Sequence, residues 1–155
     1  MIVLTAIAAG SLLLAQQPAQ VAPTTPDIMA IVEQVSNDYE LPSTVLLAMI
    51  ERESGFEVEA VGDGGRSLGL MQIQPRWHQQ RMDDLGCTDM FDAEQNITVG
   101  ADILAEQLVR YDGDMGKALT AYNQGSCRSE VSEYAVQVMA RAAEIEDEQN
   151  EAEYR

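Results

Sequence analysis

The stretch from Leu46 to Gln72, LLAMIERESGFEVEAVGDGGRSLGLMQ, constrains this chain more than any other. An apolar run with helical spacing carries a glutamate into its own buried face. It stops at Ser54-Gly55, crosses a glycine-rich loop, and re-enters structure at Gly69-Leu70-Met71-Gln72. Leu41-Pro42-Ser43 marks the start of the helix. At about 100° per residue, with Val45 as origin, the apolar face of Val45, Leu46, Leu47, Met49 and Ile50 centres at about 95°. Glu53 falls at about 80°, nearly on that centre, while Glu51 falls at about 240°, roughly opposite. Desolvation and the negative end of the helix dipole both raise the pKa of a carboxylate so placed. A carboxylic acid kept protonated near neutral pH is what a general acid needs. From the helix alone, a structural glutamate that caps a loop or pairs with an arginine such as Arg66 is the simpler reading.

The other elements read as helices. Thr25-Pro26-Asp27 starts one, with Ile28, Ile31, Val32, Val35 and Tyr39 on its inner face. Asp92 caps the longest, with Ile97, Ala101, Leu104 and Leu108 as its stripe and Gly100 allowing close approach. Asp114 to Asn123 is another, with Ala118, Leu119 and Tyr122 inward. Ser129 caps the last, which buries Val131, Tyr134, Ala135, Val138 and Met139. No segment alternates with period two, so the fold class is mainly α, with at most a small β element between Glu57 and Leu68. Trp77, beside Pro75, reads as a core residue that could instead stack on a ligand, and His78 as a satisfied surface or core histidine. Asn96-Ile97-Thr98 matches a glycosylation acceptor, but Ile97 lies on the helix stripe, so the match is treated as chance.

Charge narrows the function. The formal net charge is -17, from 26 acids against 9 bases, which argues against nucleic acid, whose phosphates need Lys and Arg. Six of the acids lie between Glu144 and Arg155, a solvated helix end or an acidic tail that could dock a basic partner. One histidine and two distant cysteines do not form a metal-ligand set, and no cofactor motif is present. Residues 1–15 are almost all apolar and read as a signal peptide or short membrane anchor. Residues 16–25 form a Pro-rich linker, 26–145 the folded domain and 146–155 an acidic tail. An exported chain would tend to pair Cys87 with Cys127, whereas a cytosolic one would keep both as thiols. Such a bridge would close a loop of about 40 residues, worth roughly 4 kcal/mol on a chain-entropy argument.

Glu53-Ser54 at a helix end, Gly69-Leu70-Met71-Gln72 downstream, Ala121-Tyr122-Asn123 later and Tyr134 in the last helix together resemble soluble lytic transglycosylase domains. These are lysozyme-like and related to goose-type lysozymes, and the resemblance covers about Asp27 to Ile145. It implies a helical domain with a cleft that takes peptidoglycan glycan strands, acting outside the cytoplasm. It implies that Glu53 is the sole catalytic acid/base, cleaving the bond between N-acetylmuramic acid and N-acetylglucosamine with formation of a 1,6-anhydro end. By position, Ser54 would orient Glu53 or touch the sugar, and Met71 and Gln72 would line the cleft. Tyr122 and Asn123 would flank its other side, and Tyr134 would hydrogen-bond Glu53. A Cys87–Cys127 bridge would brace the cleft.

Two alternatives stay open. Glu51, Glu57, Glu59 and Asp63 are near enough in sequence to activate a water, which would make the protein a hydrolytic muramidase. A non-catalytic glycan-binding module on the same fold is the other. The short connection Gln124 to Arg128 departs from the family pattern and leaves less wall on that side. A small domain without a separate wall-binding module would suit local wall opening for secretion, conjugation or phage assembly, by analogy only.

Overall fold

The computed structural model describes residues 25–154. The signal or anchor segment 1–15 and most of the linker 16–25 therefore lie outside the described residues. Six helices and one small hairpin follow in order: α1 (Thr25–Asp38), α2 (Ser43–Ser54), β1 (Val61–Gly62), β2 (Ser67–Leu68), α3 (Pro75–Leu85), α4 (Ala93–Arg110), α5 (Met115–Gln124) and α6 (Glu133–Glu153). Among the described residues no helix is long and apolar enough to cross a membrane.

Two helices form the centre. Six consecutive residues of α2, Val45 to Ile50, are buried, because α1 packs on one side of it and α6 on another. The helix is thus apolar around most of its circumference, as a central helix must be. Leu46, Met49 and Ile50 are completely enclosed, and burying side chains of this size contributes about 1.5–3 kcal/mol each. The second, α4, buries one face from Ala93 to Gln107 and carries α1 and α5 against it. Its first turn is capped as expected, the Gln95 N–H donating to Asp92 Oδ1 (2.9 Å). The cap of α6 is Ser132, three residues beyond the expected Ser129, and its hydroxyl accepts from the Ala135 N–H. Tyr134, Ala135 and Val138 are buried as expected, whereas Val131 and Met139 are exposed.

Of the two readings of the acidic stretch, residues 146–153 form the solvated end of a helix. α6 continues helically to Glu153, and Ile145 is its last buried anchor. Arg141 reaches Glu144 and Glu148 along the helix and Glu51 of α2 across it. The glycine-rich loop forms the small β element anticipated: Val61 pairs with Leu68 and Gly62 with Ser67, antiparallel. The helix α3 is not anticipated by periodicity. Only Met82 of its eleven residues is buried, so it carries no apolar stripe. Pro75 at its first turn, Gly86 beyond its end and packing on α4 define it instead.

Candidate active site

The site is built around the end of α2. Gly55 adopts a left-handed conformation (φ 59°) and stops the helix, its N–H closing on Glu51 O. Glu53 therefore sits in the last turn, half-buried, where the apolar face of the helix runs out into a cleft. A cavity of about 670 Å³ opens in front of it, lined among others by Gly62, Asp63, Gln72, Trp77, His78, Tyr122 and Asn123. A second hollow of about 460 Å³ continues past it, sharing Glu53, Gly62 and Gln72 and adding Glu57 and Glu59. Glu53 and Gln72 thus stand where the two hollows meet.

The helical count separates the two glutamates correctly. Glu51 points away and is tied to Arg141 at 2.8 Å. Glu53 has no arginine salt-bridge partner among the described residues: Arg66 instead donates to the Asp63 carbonyl at 2.7 Å. Burial raises the Glu53 pKa. The Tyr134 hydroxyl and the Arg52 charge oppose that rise, and Asp63 adds to it. Tyr134 is buried on α6, and its hydroxyl has no partner with full hydrogen-bond geometry. It still lies within electrostatic reach of Glu53, and burial together with that carboxylate pushes its own pKa upward. Its expected hydrogen bond to Glu53 is therefore a close polar approach rather than a well-formed bond.

The floor of the cleft is the segment Gly69 to Gln72, and its anchor is a residue that sequence reasoning set aside. Asn96, buried on α4, accepts from the Met71 N–H (2.7 Å) and donates to Leu68 O (2.9 Å) and Met90 O (2.8 Å). All its amide atoms are used, so Asn96 is a structural clamp and its sequon lies in the core. Gly69 is required there: at φ 73°, a Cβ would fall 2.3 Å from Asn96 Nδ2. The signal that could have found Asn96 is an amide beside an apolar helix stripe, which must find partners if buried.

Met71 is a correction. Its side chain does not line the cleft. It is fully buried and packs so tightly on α4 that a Cβ on Gly100 would lie 2.3 Å from its sulfur. Its contribution to the site is its carbonyl, which accepts from the Tyr122 hydroxyl at 2.9 Å. Tyr122 is thereby fixed on the cleft wall, with its pKa pushed well up by burial and by Glu53. Gln72, in a left-handed conformation (φ 49°), donates to Gly69 O (3.0 Å) and Ala60 O (3.3 Å). Its Oε1 lies against Gly62, where any Cβ would collide. The Ser54 hydroxyl donates back to Ile50 O (3.1 Å), so it does not orient Glu53, but it borders the outer hollow, as the other expectation for it requires.

Asp63 is the second carboxylate of the main cavity. Ser67 Oγ (2.6 Å) and Gln74 Nε2 (3.0 Å) both donate to its Oδ2, so the hairpin holds it in place. Trp77, expected in the core, is instead 66% exposed on the cleft rim. Of the two states left open for Cys87 and Cys127, a bridge or two thiols, the structure has two free thiols. Cys87 is buried beyond α3, its thiol directed at Leu85 O. Cys127 lies in the connection after α5, its thiol on Glu130 O. They are pinned to different local carbonyls. Among the described residues no group of His, Cys, Asp and Glu is arranged to hold a metal.

Six helices, a small hairpin and one half-buried acid at a helix end, facing a long open cleft, define a domain of the lysozyme-like class. A family model for the transglycosylase SLT domain matches residues 30–144, and the chain belongs to that family. Among curated proteins it is 31% identical over 129 residues to protein IpgF of Shigella flexneri, covering 76% of this chain and 84% of that one. It is 35% identical over 91 residues to a transglycosylase of Enterobacteria phage PRD1, covering 59% of this chain but 32% of that relative. Among solved structures, an inactive mutant of lytic transglycosylase Slt from Pseudomonas aeruginosa superposes with a TM-score of 0.66 at 20% identity, over 78% of this chain and 24% of that one. The 70 kDa soluble lytic transglycosylase of Escherichia coli gives 0.57 at 20% identity, over 74% and 18%. The chain thus spans about a third of the phage relative and a quarter or less of these two larger enzymes.

Proposed function

We propose that this protein is a peptidoglycan lytic transglycosylase that cleaves the β-1,4 bond between N-acetylmuramic acid and N-acetylglucosamine, with Glu53 as its acid and then its base. The observation that carries the reading is Glu53 itself: a half-buried carboxyl at the junction of two hollows, its pKa raised by burial. Two tyrosines stand within its electrostatic reach. The protonated acid gives its proton to the glycosidic oxygen as the bond to C1 breaks. The resulting carboxylate takes the proton of the muramoyl C6 hydroxyl as that oxygen closes on C1. One C–O bond breaks, one forms, and the proton passes from one oxygen to the other through Glu53 without consuming water. Gln72, Tyr122 and Asn123 line the groove where the sugars would lie. The substrate implies action outside the cytoplasmic membrane. The Pseudomonas enzyme was solved as an inactive glutamate-to-glutamine mutant, which agrees with a required glutamate in that enzyme.

Asp63 favours a second reading. Its carboxylate faces the same cavity and is oriented by two hydrogen bonds, as a base that activates water would be. Paired carboxylates across a scissile bond are the common glycosidase arrangement. Digestion of purified peptidoglycan followed by mass spectrometry of the muramoyl ends separates the two. Anhydro ends are expected, with Asp63→Asn still producing them. Reducing ends that disappear in Asp63→Asn would make the enzyme a hydrolase. Glycan binding with no product of either kind would make it a binding module.

A further inference from the structure

Trp77 is the only tryptophan in the chain and is 66% exposed. Its indole lines the cavity in front of Glu53 instead of packing in the core. It sits on α3, the helix with almost no core contribution, so packing does not explain its position. Trp77 and His78 line both the main cavity, with Glu53, and a neighbouring depression that runs towards Arg81, Asp84 and Asp102. The guanidinium of Arg76 lies over the indole, 4.1 Å from its centroid. A cation on one face braces the ring and leaves the other face for a ligand. At His78, directly after Trp77, the helix departs from helical geometry (φ -123°, ψ 16°).

We infer that Trp77 is a sugar-stacking platform that extends the cleft beyond the residues around Glu53 and makes binding depend on strand length. A pyranose presents a face of axial C–H groups, which pack on the electron-rich face of an indole. The ligand is therefore a hexose unit of the glycan strand, at least one residue removed from the scissile bond. The stack rests on the glycan-cleaving reading above, but it concerns binding and can fail separately.

The lone tryptophan makes the test direct. The Glu53→Gln variant of the full chain is titrated with N-acetylglucosamine oligomers of two to six units. Calorimetry and tryptophan emission are followed together. With the hexamer, the emission should shift to the blue and its quenching by iodide should fall. Trp77→Ala should weaken hexamer binding by about fivefold to tenfold, the range of one aromatic contact. It should change dimer binding by less than about twofold, and Trp77→Phe should recover most of the loss. Thermal unfolding of Trp77→Ala should match that of the parent, since the side chain is largely outside the core. Hexamer binding with a silent indole, or equal weakening for dimer and hexamer, overturns the platform alone. No oligomer binding by calorimetry overturns the glycan reading and the platform with it.

Discussion

On one side of the cleft, the segment from Leu68 to Ile73 is fastened at nearly every backbone group. Leu68 and Ile73 exchange both hydrogen bonds (2.9 and 3.0 Å), the Gly69 N–H donates to Ala60 O (2.8 Å), and Asn96 and Tyr122 hold Met71 from two directions. On the other side, Asn123 to Gly125 and Arg128 to Val131 are exposed. That connection is tied mainly through the Tyr111 hydroxyl, which accepts from the Cys127 N–H at 2.8 Å. The difference separates two tasks. The floor preserves the geometry around the acid, where in the proposed function small displacements would cost rate. The far wall would then set how much of the glycan is covered, and it can vary without disturbing the acid.

Four substitutions would break or sharpen that contrast. The largest effect is expected from Glu53→Gln. Turnover of peptidoglycan should fall by about a hundredfold to ten-thousandfold, the usual contribution of a general acid and base. The same variant should be more stable than the parent at neutral pH, because the folded state no longer holds a half-buried carboxylate. The sign follows from the raised pKa. The folded protein binds the Glu53 proton more tightly than the unfolded chain does, so the charge costs stability as pH rises above the ordinary glutamate range. The stability gain of Glu53→Gln should therefore shrink as pH falls below that range, as melting curves across pH would show. In the parent, the acid step should fail as pH rises through the folded pKa.

Asn96→Ala should come next. It leaves the buried Met71 N–H and Met90 O without a partner and Leu68 O with only the Ile73 N–H, a loss of about 3 kcal/mol by urea denaturation. Activity should fall with it, since Met71 carries the seat of Tyr122. Gly100→Ala introduces a methyl into the Met71 thioether, and overpacking of this kind costs about 1–3 kcal/mol. Arg128→Ala on the far wall should change stability by less than about 0.5 kcal/mol. A large loss of turnover from Arg128→Ala, or an inert Asn96→Ala, would erase the division between floor and wall.

What can be read from the sequence follows the same physical lines. The phase of Glu53 is legible because five apolar residues of α2 define a face and the helix turns by a constant angle. The starts of α4 and α5 are legible because Asp92 and Asp114 are capping residues with unambiguous chemistry. Short or weakly buried pieces are not. Gly69 to Gln72 is too brief to have a period, so nothing in it tells Met71, which turns into the core, from Gln72, which does not. α3 has one buried residue and no stripe, so Trp77 can be weighed only by its residue type and not by its position. Asn96 is masked by the apolar residue beside it. Its value depends on backbone groups that lie 25 and 28 positions away in sequence, and no local pattern encodes those.

The left-handed Gly55 that ends α2 has a further consequence. Between Ser43 and Glu53 the helix works as a protractor: its residue count, as much as its composition, determines where the carboxyl points. One residue inserted before Ile50 would turn everything beyond it by about 100°. Either Glu53 would swing to the flank or the buried face would be forced into solvent. Length in this helix thus fixes where the acid is placed. A residue added to the connection after Gly125 meets no such constraint, so insertions in a tolerance scan should collect there and be absent from α2.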